Sequence, residues 1–445
     1  MIIHNTPPGK NDMKIHTYPK FIKSFLGCMV LIIVFPGLSR AQSLSGWDGA
    51  VLRDRQPVAM LLMDATTDGD LDAAGVLNMP LTGRWRFAGS VMVTNRSPGW
   101  LGATHSRPDL PVPYGTGRFL SGEIIYDSEH LKLRLGRLFP DYHPWRQVTP
   151  LARETISGDG VDVGYVKDWL NFQTRVQFLK NEVAGGETVD RIFNYHRMGL
   201  AWGNWEMGMG EFLIYTGHDR GIDWVWSNPL VPYMVHNYDY YSQKVTEWGG
   251  DRDNTILYTD LTWQSDAGGV RVTSRLYVDE FQVDGKDREV RTDEWLWHHE
   301  LRLPFSEKRT GRWQPAELGV TLALASAGFG YHEGLFTDMF VGDYALLPHA
   351  SGRTQHVNVA AVWLGERGHV IGDLFWSRYA DIGGLNPTQL HEREYVDVLE
   401  SEALPGFRLR GEYTLKKPWL GIRGDLRWEG AEREILVGIV VGVSG

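Results

Sequence analysis

The chain of 445 residues carries 55 acidic and 45 basic side chains, a net charge of −10, one cysteine, 18 Trp, 18 Tyr and 51 Gly. The acidic balance argues against a nucleic-acid partner, because phosphate binding needs a basic face. A single cysteine excludes a disulfide framework within the chain, so packing and backbone pairing must hold the fold.

Residues 1–41 have the composition of a secretory signal peptide. An apolar run over residues 25–38 follows Lys14, Lys20 and Lys23, and Ala41 supplies a small residue at the expected cleavage position. The run is shorter than the about 20 apolar residues that a membrane-spanning helix needs. We therefore expect cleavage near Ala41 and export of the mature chain.

Residues 81–445 alternate apolar and polar side chains with a period of two in segment after segment, as strands with one apolar face do. Tight turns alternate with long loops, for example over residues 217–252. This organisation predicts an all-β fold, a transmembrane antiparallel β-barrel of about 16 to 18 strands of the outer-membrane type. Residues 42–80 alternate less regularly, and three alternatives stand for them: the first strands of the barrel, a short plug or a periplasmic segment.

A soluble sandwich or propeller is the competing interpretation of the same alternation. Here the polar faces carry Arg, Glu, Asp, His and Gln interspersed with Gly and Ala, which suits a crowded polar lumen better than open solvent. Aromatic residues near strand ends fit an interfacial girdle, with ordinary sheet packing as the alternative. These are Trp85, Trp202, Trp205, Trp263, Trp295 and Trp428.

One hairpin breaks the alternation. Residues 196–217 fold back at Gly203, and Glu211 falls at a position where the period requires an apolar, lipid-facing side chain. A charged group in hydrocarbon is costly. We therefore predict a β-bulge at or near Gly210 that turns Glu211 into the lumen, with Arg197 as its counter-charge.

Three stretches concentrate aromatic, acidic and amide side chains: residues 196–217, residues 220–241, and residues 251–263 with 275–284. Rings that stack on sugars, with carboxylates and amides that bind hydroxyl pairs, are typical of carbohydrate recognition. The alternative is that the rings belong to the girdle and the acids pair with Arg in the lumen. The candidate glycan-binding or lumen residues are Arg197, Glu211, Trp226, Asn228, Asp253, Asn254, Asp260, Asp279 and Glu280.

Motifs for catalysis or cofactors are lacking in the sequence. There is no Gly-rich phosphate loop, paired cysteine, zinc-binding His pattern or nucleophile elbow. His298 and His299 are adjacent, so on a strand they point to opposite sides and cannot bind one metal ion. We expect no metal, no cofactor and no enzymatic activity.

The stretches also resemble the Wzi family of capsule-assembly proteins, in order and at compatible spacing over residues 130–305. The resemblance rests on short motifs that begin at His196, Gly208, Ser227, Asp253, Thr259 and Asp279, preceded by residues 135–144 and 150–162. It implies an 18-stranded barrel that acts as a non-catalytic surface lectin and helps to retain or assemble polysaccharide.

The expected partners are then a capsular or exopolysaccharide, outer-membrane lipid, and the barrel assembly machinery during biogenesis. The expected location is the outer membrane. The alternative function is a porin for small solutes, in which the inward Arg, Asp and Glu side chains form a selectivity lining.

Overall fold

The computed structural model describes the strands of the chain and most of its short turns. The described residues are 58–66, 71–94, 110–112, 115–138, 142–143, 146–147, 158–179, 182–184, 187–217, 222, 228, 253–266, 269–280, 294–305, 313–326, 329, 340–341, 344–345, 354–365, 368–381, 399–400, 404–416, 420–429 and 432–444. Within these ranges, no helix is long and apolar enough to cross a membrane. The predicted signal peptide lies outside them.

The strands, in chain order, are β1 (Val58–Thr66), β2 (Leu71–Thr82), β3 (Trp85–Thr94), β4 (Leu110–Val112), β5 (Gly115–Asp127), β6 (Leu131–Leu138), β7 (Tyr142–His143), β8 (Arg146–Gln147), β9 (Gly158–Lys167), β10 (Leu170–Phe178), β11 (Glu182–Ala184), β12 (Glu187–Trp202), β13 (Trp205–Gly217), β14 (Asp253–Gln264), β15 (Arg271–Glu280), β16 (Glu294–Pro304), β17 (Gln314–Ala325), β18 (Phe340–Val341), β19 (Tyr344–Ala345), β20 (Thr354–Leu364), β21 (Gly368–Asp381), β22 (Leu399–Glu400), β23 (Leu404–Lys416), β24 (Leu420–Glu429) and β25 (Glu432–Ser444).

Eighteen of the described strands close into one antiparallel ring. Its order is β1, β2, β3, β5, β6, β9, β10, β12, β13, β14, β15, β16, β17, β20, β21, β23, β24 and β25, and β25 pairs with β1. The short strands β4, β11 and β22 extend the sheet beside ring strands. The prediction of an all-β outer-membrane barrel is confirmed.

Residues 58–66 and 71–80 belong to this ring, because β1 and β2 contain them. The seam of the barrel joins Val58 to Ser444. A closed ring leaves no unpaired strand edge, and this satisfies every strand's backbone groups where water is absent. The first strands of the described barrel therefore lie within residues 42–80, the segment for which the sequence admitted strands, a plug or a periplasmic segment.

The two ends of the barrel differ in their connections. At the end that holds Val58 and Ser444, neighbouring ring strands are joined by short turns, such as those at residues 83–84, 168–169 and 203–204. We name this the turn end. The opposite end, named the loop end, carries most of the long connections, among them residues 218–252. Short turns on the periplasmic side and longer loops outside are typical of outer-membrane barrels.

The alternation of side chains separates two faces of the wall. Large apolar residues are exposed on the outer face, where they meet lipid, and most of the buried arginines and carboxylates lie on the inner face. The outer face includes Met198, Leu200, Trp202, Trp205, Met207, Met209, Leu261, Leu276, Trp297 and Leu374. Trp85, Trp202, Trp205 and Trp263 stand near the turn end, whereas Trp295 and Trp428 stand near the loop end.

The predicted bulge at Gly210 is absent. The registers of β12 with β13 and of β13 with β14 run through Gly210 without a shift, so Glu211 stays on the same face as Met207 and Met209. Among the described pairs, register shifts occur elsewhere, for example between Val278 and Glu280 on β15. The glycine is there for a different reason: a Cβ at Gly210 would overlap the carbonyl oxygen of His196 on the neighbouring strand.

Candidate functional site

The inner wall carries three groups of ion pairs that run across neighbouring strands. The first cluster comprises Glu123, Arg134, Asp162 and Arg175 on β5, β6, β9 and β10. Arg134 donates to Glu123 through two nitrogens, at 2.6 and 3.0 Å. Arg175 Nε donates to Asp162 at 2.7 Å, and its Nη2 contacts the same carboxylate. All four side chains are nearly inaccessible to solvent.

This arrangement follows from register. Asp162 lies directly opposite both Arg134 and Arg175, so three inward positions on adjacent strands alternate in charge. Opposite charges at facing positions of a sheet stabilise each other, and a bidentate Arg–carboxylate pair is stronger still. The wall at this level therefore neutralises its own charges.

The second cluster contains two of the sequence-predicted residues, Arg197 and Asp260. Arg197 donates from Nε and Nη2 to the two carboxylate oxygens of Asp260, at 2.7 and 2.8 Å. Its Nη2 also contacts Glu206 at 2.8 Å, and Glu206 accepts a hydrogen bond from Asn171 at 3.2 Å. One arginine thus faces two carboxylates, which leaves a formal charge of about −1 on this group of side chains.

Glu206 is the accessible member of the second cluster. Its side chain is 31% exposed, against 4% for Asp260 and 11% for Arg197. A solute in the lumen would therefore meet the carboxylate of Glu206 before it met the arginine.

The third cluster lies on β15, β16 and β17. Glu300 contacts Arg302 through a hydrogen bond and Arg275 at 3.8 Å, and Glu317 lies 3.9 Å from Arg302. Arg275 also contacts His298 Nδ1 at 3.3 Å. His299 lies on the other side of the strand, where its ring packs against Trp297 with centroids 4.5 Å apart.

A layer of aromatic side chains lies on the loop side of these charges. We define the aromatic layer as Phe193, Tyr195, Phe212, Tyr258 and Tyr277. Tyr195 stacks on Phe212 with ring centroids 4.9 Å apart, Phe212 meets Tyr258 edge-on at 5.7 Å, and Tyr258 meets Tyr277 at 5.1 Å. The five side chains are at most 4% exposed, so the lumen is packed along this part of the wall.

Position in the strands explains why charges and rings form separate levels. Tyr195, Tyr258 and Tyr277 each stand two residues from Arg197, Asp260 and Arg275, respectively, on the same face and towards the loop end. Because a strand rises about 3.3 Å per residue, the two levels lie about 7 Å apart along each strand. A solute crossing this side of the lumen would pass from rings to ion pairs.

Glu211 does not belong to the lumen, which corrects its predicted position. It lies opposite His196 on the outer face, with His196 Nε2 3.4 Å from its carboxylate. Arg197 is bound to Asp260 and Glu206, so the predicted Arg197–Glu211 pair is wrong. Glu211 is only 5% exposed, whereas Met209 on the same face is 59% exposed. The outer wall is therefore covered from Glu211 towards the loop end, and the carboxylate does not face lipid directly.

The remaining predicted residues are not brought together. Asn254 is buried at the loop end of β14, and Asp279 is buried beside the register shift in β15. Asp253 and Glu280 are strand-terminal residues whose side chains are outside the described set, as is Trp226, while Asn228 is described only as exposed. Sequence reasoning did not name Glu206 as a site residue, although alternation turns it inward, and it missed the first and third clusters and the aromatic layer. Their signal was available as Arg, Asp, Glu and Tyr at alternate positions of successive hairpins.

Metal binding finds no support in the described residues, where no group of three or more His, Cys, Asp or Glu side chains is placed to hold an ion.

Comparison with known proteins gives matches of fold. No protein-family model and no curated protein matches the chain. Solved structures do match, among them the following three. A BenF-like porin from Pseudomonas fluorescens Pf-5 has a TM-score of 0.48 and 10% identity, covering 88% of this chain and 98% of its own. The outer membrane protein opdK from Pseudomonas aeruginosa has a TM-score of 0.45 and 10% identity, covering 88% and 98%. Pseudomonas aeruginosa OprD has a TM-score of 0.43 and 8% identity, covering 87% and 93%.

These matches correct the resemblance to the Wzi family. The three matched structures are a BenF-like porin, the outer membrane protein opdK and OprD, and none of them is a capsule-assembly protein. The expectations of a surface lectin, of a role in capsule assembly and of polysaccharide as the main partner are therefore wrong. The expected outer-membrane location agrees with these matches, whose sequence identity to this chain is 10%.

Proposed function

We propose that this protein is an outer-membrane channel for small polar solutes and catalyses no reaction. The observation that carries the proposal is the set of three ion-pair clusters on the inner face of a closed ring of eighteen strands. Barrels of 16 to 18 strands are wide enough to enclose an aqueous passage. Charged side chains are stable there because the interior is polar while the outer face meets lipid.

The charges on the wall favour selection by size and polarity over strong selection by charge sign. Arginines and carboxylates alternate across the first and third clusters and compensate each other. The second cluster carries the unbalanced carboxylate, and Glu206 exposes it. We therefore expect a mild preference for cations. The aromatic layer narrows the route on the loop side of the clusters.

The proposal is tested by reconstitution. Detergent-folded protein is added to planar lipid bilayers, and its folded state is verified by migration of the unboiled sample on a gel. We expect stepwise conductance in KCl, and swelling of liposomes in small sugars and amino acids that stops as solute size increases. Folded protein that gives neither conductance nor swelling would refute the channel.

Glu206→Gln provides the matched test of the wall. Removing the exposed carboxylate should lower the K⁺ over Cl⁻ permeability ratio by about twofold, because the cluster loses its net negative charge. Met209→Leu, on the outer face of the same strand, is the control and should leave the ratio unchanged. An equal effect of both variants would show that the change comes from the strand and not from the lumen.

A further inference from the structure

Two glycines lie beneath the guanidinium of Arg197. Gly199 and Gly208 face each other on β12 and β13, and Gly208 is in turn opposite Asp260 on β14. The side chain of Arg197 runs along the wall towards the turn end, over this pair, to reach Asp260 and Glu206. The guanidinium therefore lies on a part of the wall without side chains.

Neither glycine has room for a side chain while Arg197 is in place. A Cβ at Gly199 would lie 2.7 Å from Nη1 and 3.1 Å from Cζ of Arg197. A Cβ at Gly208 would overlap both Arg197 and the carboxylate of Asp260. Glycine inside a strand weakens the strand, and its presence there often marks the close approach of another group.

The part of the wall formed by Gly199 and Gly208, named here the glycine floor, has an electrostatic consequence. With Arg197 flat on the wall, its charge is held between Asp260 and Glu206, and only 11% of the side chain is exposed. Without the floor, the guanidinium would have to rise into the lumen, where its positive charge would stand closer to passing ions. In Gly199→Ala, Asp260 would stay on the wall, because the three atoms nearest to a Cβ at position 199 all belong to Arg197.

We propose that Gly199 and Gly208 are specificity-determining positions of the channel, because they hold Arg197 flat and leave Glu206 as the charge that ions meet. The inference rests on the proposed channel function and deepens it: the ion preference depends on two residues that carry no charge. A larger residue at either position adds an anion-attracting charge to the lumen and narrows it.

The test compares Gly199→Ala with Arg197→Met and with the double variant, because a Cβ at Gly199 has only Arg197 atoms among its three nearest neighbours, whereas one at Gly208 would also displace Asp260. In Gly199→Ala we expect the K⁺ over Cl⁻ permeability ratio to fall by about two- to fivefold, equivalent to about 0.4 to 1 kcal/mol. In Arg197→Met the ratio should rise, because two carboxylates remain. In the double variant it should equal that of Arg197→Met, because no guanidinium remains to be displaced.

Gly164→Ala is the matched control. Gly164 lies on the inner wall of β9, and a Cβ there would meet only the Cβ of Lys132, at an ordinary 3.9 Å. This variant should keep the wild-type ratio. The inference is overturned if folded Gly199→Ala keeps that ratio, if Gly164→Ala shifts it equally, or if the effect of Gly199→Ala persists in the Arg197→Met background.

Thermal unfolding of the detergent-folded barrel supplies a readout that does not need conductance. Gly199→Ala should lower the unfolding temperature when Arg197 is present and should not lower it in Arg197→Met. A wild-type protein that does not conduct would refute the channel, and the unfolding series would still decide whether the glycines position Arg197. Equal losses in both backgrounds would show that they do not.

Discussion

Removing Asp162 should cost far more stability than removing an exposed lumen carboxylate. Asp162 accepts two hydrogen bonds from Arg175, and both side chains are buried in the first cluster. Hydrogen bonds to charged groups contribute about 1.5 to 3 kcal/mol each. Breaking a buried ion pair by deleting one partner costs about 3 to 5 kcal/mol, because the remaining charge is left uncompensated. We therefore expect Asp162→Ala to lower the free energy of unfolding by about 3 to 5 kcal/mol.

The measurement is urea unfolding of the barrel in lipid vesicles, followed by tryptophan fluorescence and by the mobility of unboiled samples. Glu206→Ala is the exposed comparison. Its partner Arg197 keeps Asp260, so the loss should stay within about 1 kcal/mol. Replacing both members of the buried pair, as in Asp162→Ala with Arg175→Met, should recover most of the loss, because no unpaired charge remains.

A loss below about 1 kcal/mol in Asp162→Ala would refute this reasoning, since it would mean that water solvates Arg175 as soon as the carboxylate is gone. The same result would show that the lumen beside β9 and β10 is hydrated rather than packed. A double variant as unstable as the single one would also contradict it, because the damage would then not come from an uncompensated charge.

Three further changes probe the outer face and the aromatic layer. Met209→Arg should destabilise the barrel by about 2 to 4 kcal/mol in the same urea assay, because Met209 faces lipid, and a near-neutral result would place it elsewhere. Phe212→Ala should lower the free energy of unfolding by about 3 to 5 kcal/mol and raise the single-channel conductance. Phe212→Leu should keep most of the wild-type stability and conductance. Unchanged conductance in Phe212→Ala would mean that the aromatic layer does not restrict the passage. A double-mutant cycle between His196 and Glu211 should give a coupling energy of at least about 0.5 kcal/mol, and a cycle between Arg197 and Glu211 should give none. Coupling in the Arg197–Glu211 cycle and none in the His196–Glu211 cycle would contradict this expectation.

The fold was accessible from sequence because lipid and lumen impose a period of two on every strand. Alternation along the hairpin places Met198, Leu200, Met207 and Met209 on one face, and the structure exposes all four on the outer face. Arg197 was assigned to the inner face, where it is found. The error concerned Glu211, where the rule that charge avoids lipid was preferred to the rule that the period continues. The period continues through Glu211, and its carboxylate still avoids lipid because the outer wall is covered at that level, so no bulge is needed.

The partners within the lumen were beyond the sequence for a different reason. Arg197 binds Asp260, which lies two strands away, and their relative height depends on the registers of β12 with β13 and of β13 with β14. A shift of one residue at either interface would turn the carboxylate to the other face. Weak motifs around these same residues produced the resemblance to a lectin family, because inward Arg, Asp and aromatic side chains also suit a channel.

The seam between β1 and β25 controls when the barrel can be completed. In the described ring, other neighbouring strands are close in the sequence, whereas Val58 meets Ser444 across the whole barrel-forming chain. Closing so large a loop is slow compared with forming hairpins. Until the last strand is delivered, β1 remains an open edge that can pair with foreign strands. A chain without the thirteen-residue strand β25 would therefore keep two open strand edges, at β1 and at β24, and could not close into a ring.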